Sequence, residues 1–162
     1  MYKVAIITAS DKGYAGERED KSGSTIEEIV TAHELEVTGK VILPDDRQIL
    51  SDQMLNYCHQ GIDLILTTGG TGFSKRDVTP EATADIVERR ADNLTFAMIA
   101  NSLQYTPKAM LSRGIAGIRE NTLIVNLPGS PKAVRENLEY AIDAIIHGVK
   151  ILKGDDAECA RK

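Results

Sequence analysis

IDLILTTGGTGFSKRDVTPEAT, residues 62–83, is the stretch on which the fold turns. Ile62, Leu64, Ile65 and Leu66 form an apolar run without strict alternation, the pattern of a strand covered on both faces of a parallel sheet. Thr67 to Gly72 should end that strand. Gly69, Gly70 and Gly72 permit positive φ and close approach of the backbone to a ligand, and Thr67, Thr68 and Thr71 place hydroxyls beside the exposed amides. Thr79-Pro80-Glu81 then reads as a helix start, with threonine as N-cap, proline at the first helical position and a carboxylate in the first turn. Strand, glycine-rich turn and helix N-terminus in that order describe an anion site, with phosphate the expected guest. Neither G-x-x-x-x-G-K-[ST] nor the third glycine of a dinucleotide fingerprint is present, so the common nucleotide motifs do not account for the loop.

On either side, apolar strands and amphipathic helices alternate. Lys3 to Ala9 predicts a strand that ends at Ser10-Asp11 and enters a polar loop through Gly13, Gly16 and Gly23. Ser24 and Glu27 read as a capping box, followed by Ile26, Ile29, Val30 and His33 at helical spacing. Val37 to Leu43 predicts a second strand stopped by Pro44. A helix at Gln48 then carries Leu50, Met54, Tyr57 and Cys58 on one face and closes at Gly61. Leu94 to Leu103 is apolar all round, which predicts a helix buried between the domain and another body such as a second subunit. Ile115–Arg119 and Thr122–Leu127 flank Glu120-Asn121 as a tight hairpin.

Asn126-Leu127-Pro128-Gly129-Ser130-Pro131 repeats the strand-to-helix passage, with Ser130 as N-cap and Val134, Leu138, Ala141, Ile142, Ile145 and Val149 on one helical face. The expected fold is therefore α/β: a single-domain three-layer α/β/α sandwich with a mostly parallel sheet and one antiparallel strand. The domain should cover residues 1–153, with a polar C-terminal tail at 154–162. The loops holding Ser10-Asp11, Asp45-Asp46, Thr67 to Asp77 and Leu127 to Lys132 all follow strands and should open on one crevice at the carboxyl edge.

Composition narrows the function. Nineteen Lys+Arg against 24 Asp+Glu give a formal charge of −5, and no basic run interleaved with aromatics points to nucleic acid. Cys58 and Cys159 lie far apart in unlike surroundings, which predicts no disulfide framework and a reducing, cytoplasmic location. No signal peptide or membrane span is expected. His33, His59 and His147 are scattered without metal-ligand spacing and read chiefly as helix-face histidines.

The glycine-rich stretch resembles the signature of molybdenum cofactor biosynthesis proteins of the MogA/MoaB type, whose domain also forms the adenylating part of plant and animal molybdenum insertion proteins. Further matching pieces are Ser10-Asp11, Asp20-Lys21-Ser22-Gly23, Leu43-Pro44-Asp45, Met110-Leu111-Ser112-Arg113 and the Asn126 to Pro131 segment. Where relatives often carry Pro-Gly before the apolar helix, this chain has Asp92-Asn93, read as an alternative turn.

The resemblance implies a molybdopterin adenylyltransferase: AMP passes from Mg-ATP to the terminal phosphate of molybdopterin, releasing pyrophosphate. It implies that Asp45 and Asp77 are the functional acids and hold Mg²⁺. By themselves those two residues would read as a helix-start acid and a surface ion-pair partner. Substrates would be met by Ser10, Asp11, Thr68, Gly69, Gly70, Thr71, Gly72, Arg76, Ser112, Arg113, Pro128, Gly129, Ser130 and Lys132, with Ser112 and Arg113 on the pterin phosphate. The expected partners are molybdopterin, ATP, further copies of the chain in a trimer, and a molybdenum-insertion protein. A non-catalytic MoaB-like carrier of the same cofactor, in which a hexamer is favoured, stays open as the alternative; a nucleotide hydrolase akin to the CinA group is a weaker one.

Overall fold

The computed structural model describes residues 1–155; residues 156–162, with Cys159 and most of the expected tail, lie outside the described residues. The chain runs β1 (Lys3–Ala9), α1 (Asp11–Tyr14), α2 (Lys21–Ala32), β2 (Glu36–Leu43), α3 (Arg47–His59), β3 (Leu64–Thr68), α4 (Thr79–Ala84), β4 (Arg89–Arg90) and α5 (Asp92–Ser102). A 3-10 turn (Pro107–Leu111), β5 (Ala116–Arg119), β6 (Thr122–Leu127) and α6 (Pro131–Lys153) complete it.

Successive side chains of a strand point to opposite faces, and this alternation sorts the interior into two layers. Val4, Ile6, Leu64, Leu66, Leu123, Val125 and Leu127 meet Ile26, Val30, Met98, Val134, Leu138 and Ile142 of α2, α5 and α6. The intervening Ala5, Ile7, Ile65 and Ile124 meet Leu50, Met54 and Ala82 of α3 and α4. The sheet order is β2-β1-β3-β6-β5-β4. Strands β2, β1, β3 and β6 are parallel, and β5 alone runs against both of its neighbours. The chain leaves β1 towards β2 on one side, then crosses back to β3 on the other. Right-handed crossovers in opposite directions place α2 and α3 on opposite faces, and the reversal between β1 and β3 leaves a crevice at their carboxyl ends.

Several local expectations shift. Helix α2 begins at Lys21 instead of Ser24: Asp20 is its N-cap, its Oδ1 accepting from the Gly23 amide at 2.9 Å, while Ser24 Oγ donates back to Asp20 O at 3.0 Å. Strand β3 continues through Thr67 and Thr68, which stand opposite Asn126 and Leu127 of β6. Their hydroxyls are used within the fold, Thr67 Oγ1 accepting from Asn126 Nδ2 at 3.0 Å and Thr68 Oγ1 donating to Pro128 O at 2.6 Å.

Thr79 lies inside α4, with Val78 at the N-cap position and no side-chain cap. Ser10 caps the short α1, so the polar loop begins only after one helical turn. Asp92-Asn93 opens α5 as helix, not as a turn, and Arg89-Arg90 forms the exposed edge strand β4. Helix α5 is covered on one side only: Thr95, Met98 and Ser102 are buried, whereas Phe96 is 68% exposed.

Candidate active site

The loops after β1, β2, β3 and β6 enclose a crevice of about 770 Å³ at the carboxyl edge of the sheet. Its walls include Ser10, Asp45, Asp77, the Thr68 to Gly70 turn, the Asp20 to Ser22 helix start and the Gly129 to Pro131 helix start. Two contacts brace these loops together: Ser22 Oγ donates to Gly129 O at 2.6 Å, and Thr8 Oγ1 donates to Asp20 Oδ2 at 2.8 Å. Backbone amides at the α2 and α6 starts therefore border the same space, a favourable setting for phosphate.

The glycine turn has little freedom of composition. Gly69 and Gly70 adopt φ of 87° and 68°, in the left-handed region. A Cβ on Gly70 would lie 2.3 Å from Thr79 Oγ1 and 3.3 Å from Asp45 Oδ1. Gly72, contrary to the sequence reading, does not have positive φ. Its constraint is a carboxylate, since a Cβ there would stand 2.9 Å from Asp77 Oδ2. The turn is thus folded directly against the two predicted acids.

Asp45 Oδ2 accepts from the Asp11 amide at 3.0 Å, and Asp11 Oδ1 accepts in return from the Asp45 amide at 3.0 Å. Asp45 Oδ1 is buried and has no hydrogen-bond partner. Burial raises the Asp45 pKa above the ordinary carboxylate value; the Asp11 amide opposes the rise, and the Asp11 and Asp77 charges add to it. Asp77 Oδ2 accepts from the Ser74 amide at 3.0 Å. Thr79 Oγ1, fully buried behind Gly70, is also unpartnered. Two buried oxygens without a protein partner around one turn leave hydrogen-bonding capacity open to a ligand, an ion or an ordered water.

The remaining predicted residues divide. Thr71, Gly72, Ser112 and Pro128 border a second, mainly apolar cavity on the other side of the turn. Arg76 is paired within the protein: its Nε and Nη2 grip the Asp11 carboxylate at 3.0 Å each, a pairing that is the chief cause of the lowered Asp11 pKa. Arg113 is also engaged internally. Its Nε donates to Gly72 O at 2.8 Å, its Nη2 to Asp77 O at 2.7 Å, and its Nη1 to Glu81. The guanidinium therefore clasps the glycine turn to the start of α4 instead of presenting itself to a phosphate.

Lys132 faces away from the crevice, beside Tyr105 and Tyr140. The cations that line the crevice are Arg18 and Lys21. Sequence reasoning quoted Lys21 within Asp20-Lys21-Ser22-Gly23 but assigned neither cation to the site, because it started α2 at Ser24; the available signal was Asp20, three residues before Gly23, which makes Lys21 the first helical residue.

Among the described residues no group of three or more His, Cys, Asp or Glu side chains forms a protein-only metal cage. The arrangement instead supplies two acids, helix-start amides and two crevice cations around a phosphate-sized turn. A family described as "Probable molybdopterin binding domain" matches residues 5–147. The chain belongs to this family. Over 155 residues it is 38% identical to a molybdopterin adenylyltransferase of Helicobacter pylori (strain J99), covering 94% of this chain and 88% of that one. It is 41% identical over 159 residues to gephyrin of Dictyostelium discoideum, covering 92% of this chain but 22% of gephyrin. The crystal structure of the molybdopterin biosynthesis enzyme MoaB from Thermus thermophilus matches with a TM-score of 0.90 and 42% identity, covering 95% of this chain and 98% of that one. The matched range of the molybdopterin-binding family takes in every loop around the crevice, including the Pro128 to Pro131 passage into α6.

Proposed function

We propose that the protein is a molybdopterin adenylyltransferase of molybdenum cofactor biosynthesis. In the reaction an oxygen of the molybdopterin terminal phosphate bonds to the α-phosphorus of ATP, the bond from that phosphorus to the bridging oxygen of the β-phosphate breaks, and pyrophosphate leaves. The reading is carried by the unpartnered, buried Asp45 Oδ1 standing with Asp77 against the glycine turn, in a chain 38% identical to a named adenylyltransferase.

Attack of one anion on another calls for alignment and charge neutralisation more than for covalent help. Amides of the glycine turn and of the α2 and α6 starts would receive phosphate oxygens, and Arg18 and Lys21 would offset their charge. The Arg76–Asp11 pair holds the loops after β1, β2 and β3 in register, and Arg113 fixes the turn that carries Asp77. Asp45 and Asp77 would hold Mg²⁺. The donor set fits it, because magnesium favours a few carboxylates together with substrate phosphates over a full protein cage. When bound, the ion would neutralise charge on the phosphate oxygens.

Further parts of the proposal are a homotrimer, a cytoplasmic location and transfer of the product to a molybdenum-insertion protein. The exposed Phe96 of α5 and Leu103 at its C-cap, with the exposed Met110 and Leu111 of the 3-10 turn that α5 contacts, support self-association. Among the described residues no helix is long and apolar enough to cross a membrane. Incubating purified protein with molybdopterin and Mg-ATP tests the activity. Stoichiometric pyrophosphate and adenylylated molybdopterin are expected; tight pterin binding with no ATP consumption would make the protein a carrier.

A further inference from the structure

Asp77 faces two spaces. It lines the crevice, and it also lines an open hollow of about 430 Å³ whose wall carries Glu81 and Arg113. Neither Glu81 nor Arg113 lines the crevice itself. Glu81 sits in the first turn of α4, where an acid ordinarily complements the helix dipole. Its carboxylate is committed elsewhere: Oε1 accepts from Arg113 Nη1, with both side chains half-buried. The other arms of that guanidinium reach the glycine turn, Nε donating to Gly72 O at 2.8 Å and Nη2 to Asp77 O at 2.7 Å. The Arg113 amide adds a bond to Thr71 O at 2.8 Å. Glu81 Oε2 is buried and has no hydrogen-bond partner, a cost the fold carries while the other oxygen holds the arginine.

We infer that Glu81 is a positioning residue for Asp77 and acts through Arg113. A guanidinium is a planar fork with fixed donor directions, so a carboxylate on Nη1 also sets where Nε and Nη2 point. Those two donors hold the carbonyl of Asp77 and the carbonyl of Gly72, the residue on which a Cβ would stand 2.9 Å from Asp77 Oδ2. The Asp77 carboxylate has one further tie, the Ser74 amide at 3.0 Å, so its direction into the crevice depends on where Arg113 fixes the backbone. Without Glu81 the arginine keeps its carbonyl partners and its backbone bond, and the turn persists. What is lost is the fixed plane of the fork, and with it the placement of Asp77. The inference rests on the adenylyl-transfer reading for the task of Asp77, but its first readout does not depend on turnover.

Titration with Mn²⁺ alone, followed by electron paramagnetic resonance, compares the parent, Glu81→Ala, Asp77→Asn and the double variant. Losing a group that supports a metal ligand from behind lowers affinity about 10-fold or more, and Glu81→Ala should do so here. In the Asp77→Asn background the same change should cost nothing further, because the carboxylate it positions is gone. Glu81→Gln keeps an acceptor for Arg113 and should recover most of the affinity. In steady-state assays Glu81→Ala should lower kcat and leave the KM for molybdopterin at the parental value. If Glu81→Ala does not fold, Glu81→Asp, which draws the carboxylate back by one methylene, takes its place in the same cycle. Parental Mn²⁺ affinity in Glu81→Ala, or an equal loss with and without Asp77, would make Glu81 structural and overturn the inference. So would a parent that binds no Mn²⁺, or whose binding ignores Asp77→Asn. A cycle that behaves as expected in a protein that forms no adenylylated product would count instead against the adenylyl-transfer reading and leave the role of Glu81 standing.

Discussion

Asp45 combines a folding cost with a functional opportunity. Its pKa is raised, chiefly by burial, so the folded protein holds this proton more tightly than the unfolded chain does. The stability associated with protonated Asp45 is present below the unfolded value and is lost as pH rises through the higher folded value. At neutral pH, without metal, Asp45→Asn should therefore melt at or above the parent temperature, since the amide keeps an acceptor for the Asp11 backbone and carries no charge. Binding of a divalent ion needs the ionised form, so metal affinity should fall in acid at a pH above that of an ordinary aspartate. Thermal melts and Mn²⁺ titrations across pH check both signs; a large destabilisation by Asp45→Asn would show that the charge is part of the scaffold. Arg113 belongs to the opposite class. It bonds Gly72 O, Asp77 O and Glu81, so Arg113→Ala should cost about 3 kcal/mol in urea unfolding and weaken nucleotide and pterin binding together. Selective loss of pterin binding at full stability would return Arg113 to a direct phosphate role.

Element by element, the sequence was legible where periodicity or a glycine left one reading, and misleading where two polar residues competed for one cap. Ser130-Pro131 sets the start of α6 as expected because no rival cap lies near it. Ser24 and Glu27 match a capping box, but Asp20 lies one turn earlier and its carboxylate reaches Gly23, so the helix begins there and brings Lys21 to the crevice. Thr79 resembles a cap for a similar local reason. The Gly70 carbonyl accepts from the Thr79 amide at 3.1 Å and draws the residue into the first turn of α4. The roles of Arg76 and Arg113 were not legible, because their partners lie 65 and 32 to 41 residues away in sequence. Helix α5 shows the limit most clearly: its composition signals burial, yet within one chain Phe96 and the C-cap residue Leu103 remain exposed. Phe96→Asp should leave the circular dichroism spectrum unchanged and shift the light-scattering mass towards a monomer. A parent protein already monomeric at micromolar concentration would remove α5 from any interface.

For the whole molecule, function follows from where the strand order reverses. Placing β2 and β3 on opposite sides of β1 brings the loops carrying Asp11, Asp45 and Asp77 to one edge, and the parallel neighbour β6 adds the Gly129 to Pro131 passage. That convergence was predictable from alternating strands and helices. The separation of the site into a polar crevice and an apolar cavity was not, because it depends on the path of the backbone through Gly70, Thr71 and Gly72. The central claim is that the two carboxylates facing this turn carry adenylyl transfer. Single-turnover measurement at saturating molybdopterin and Mg-ATP, comparing the parent with Asp45→Asn and Asp77→Asn, tests it most directly. The account predicts that both variants fold and bind the pterin but form adenylylated product roughly 10²–10³ times more slowly, the scale of losing a preorganised electrostatic group; near-parental rates in both variants would contradict it.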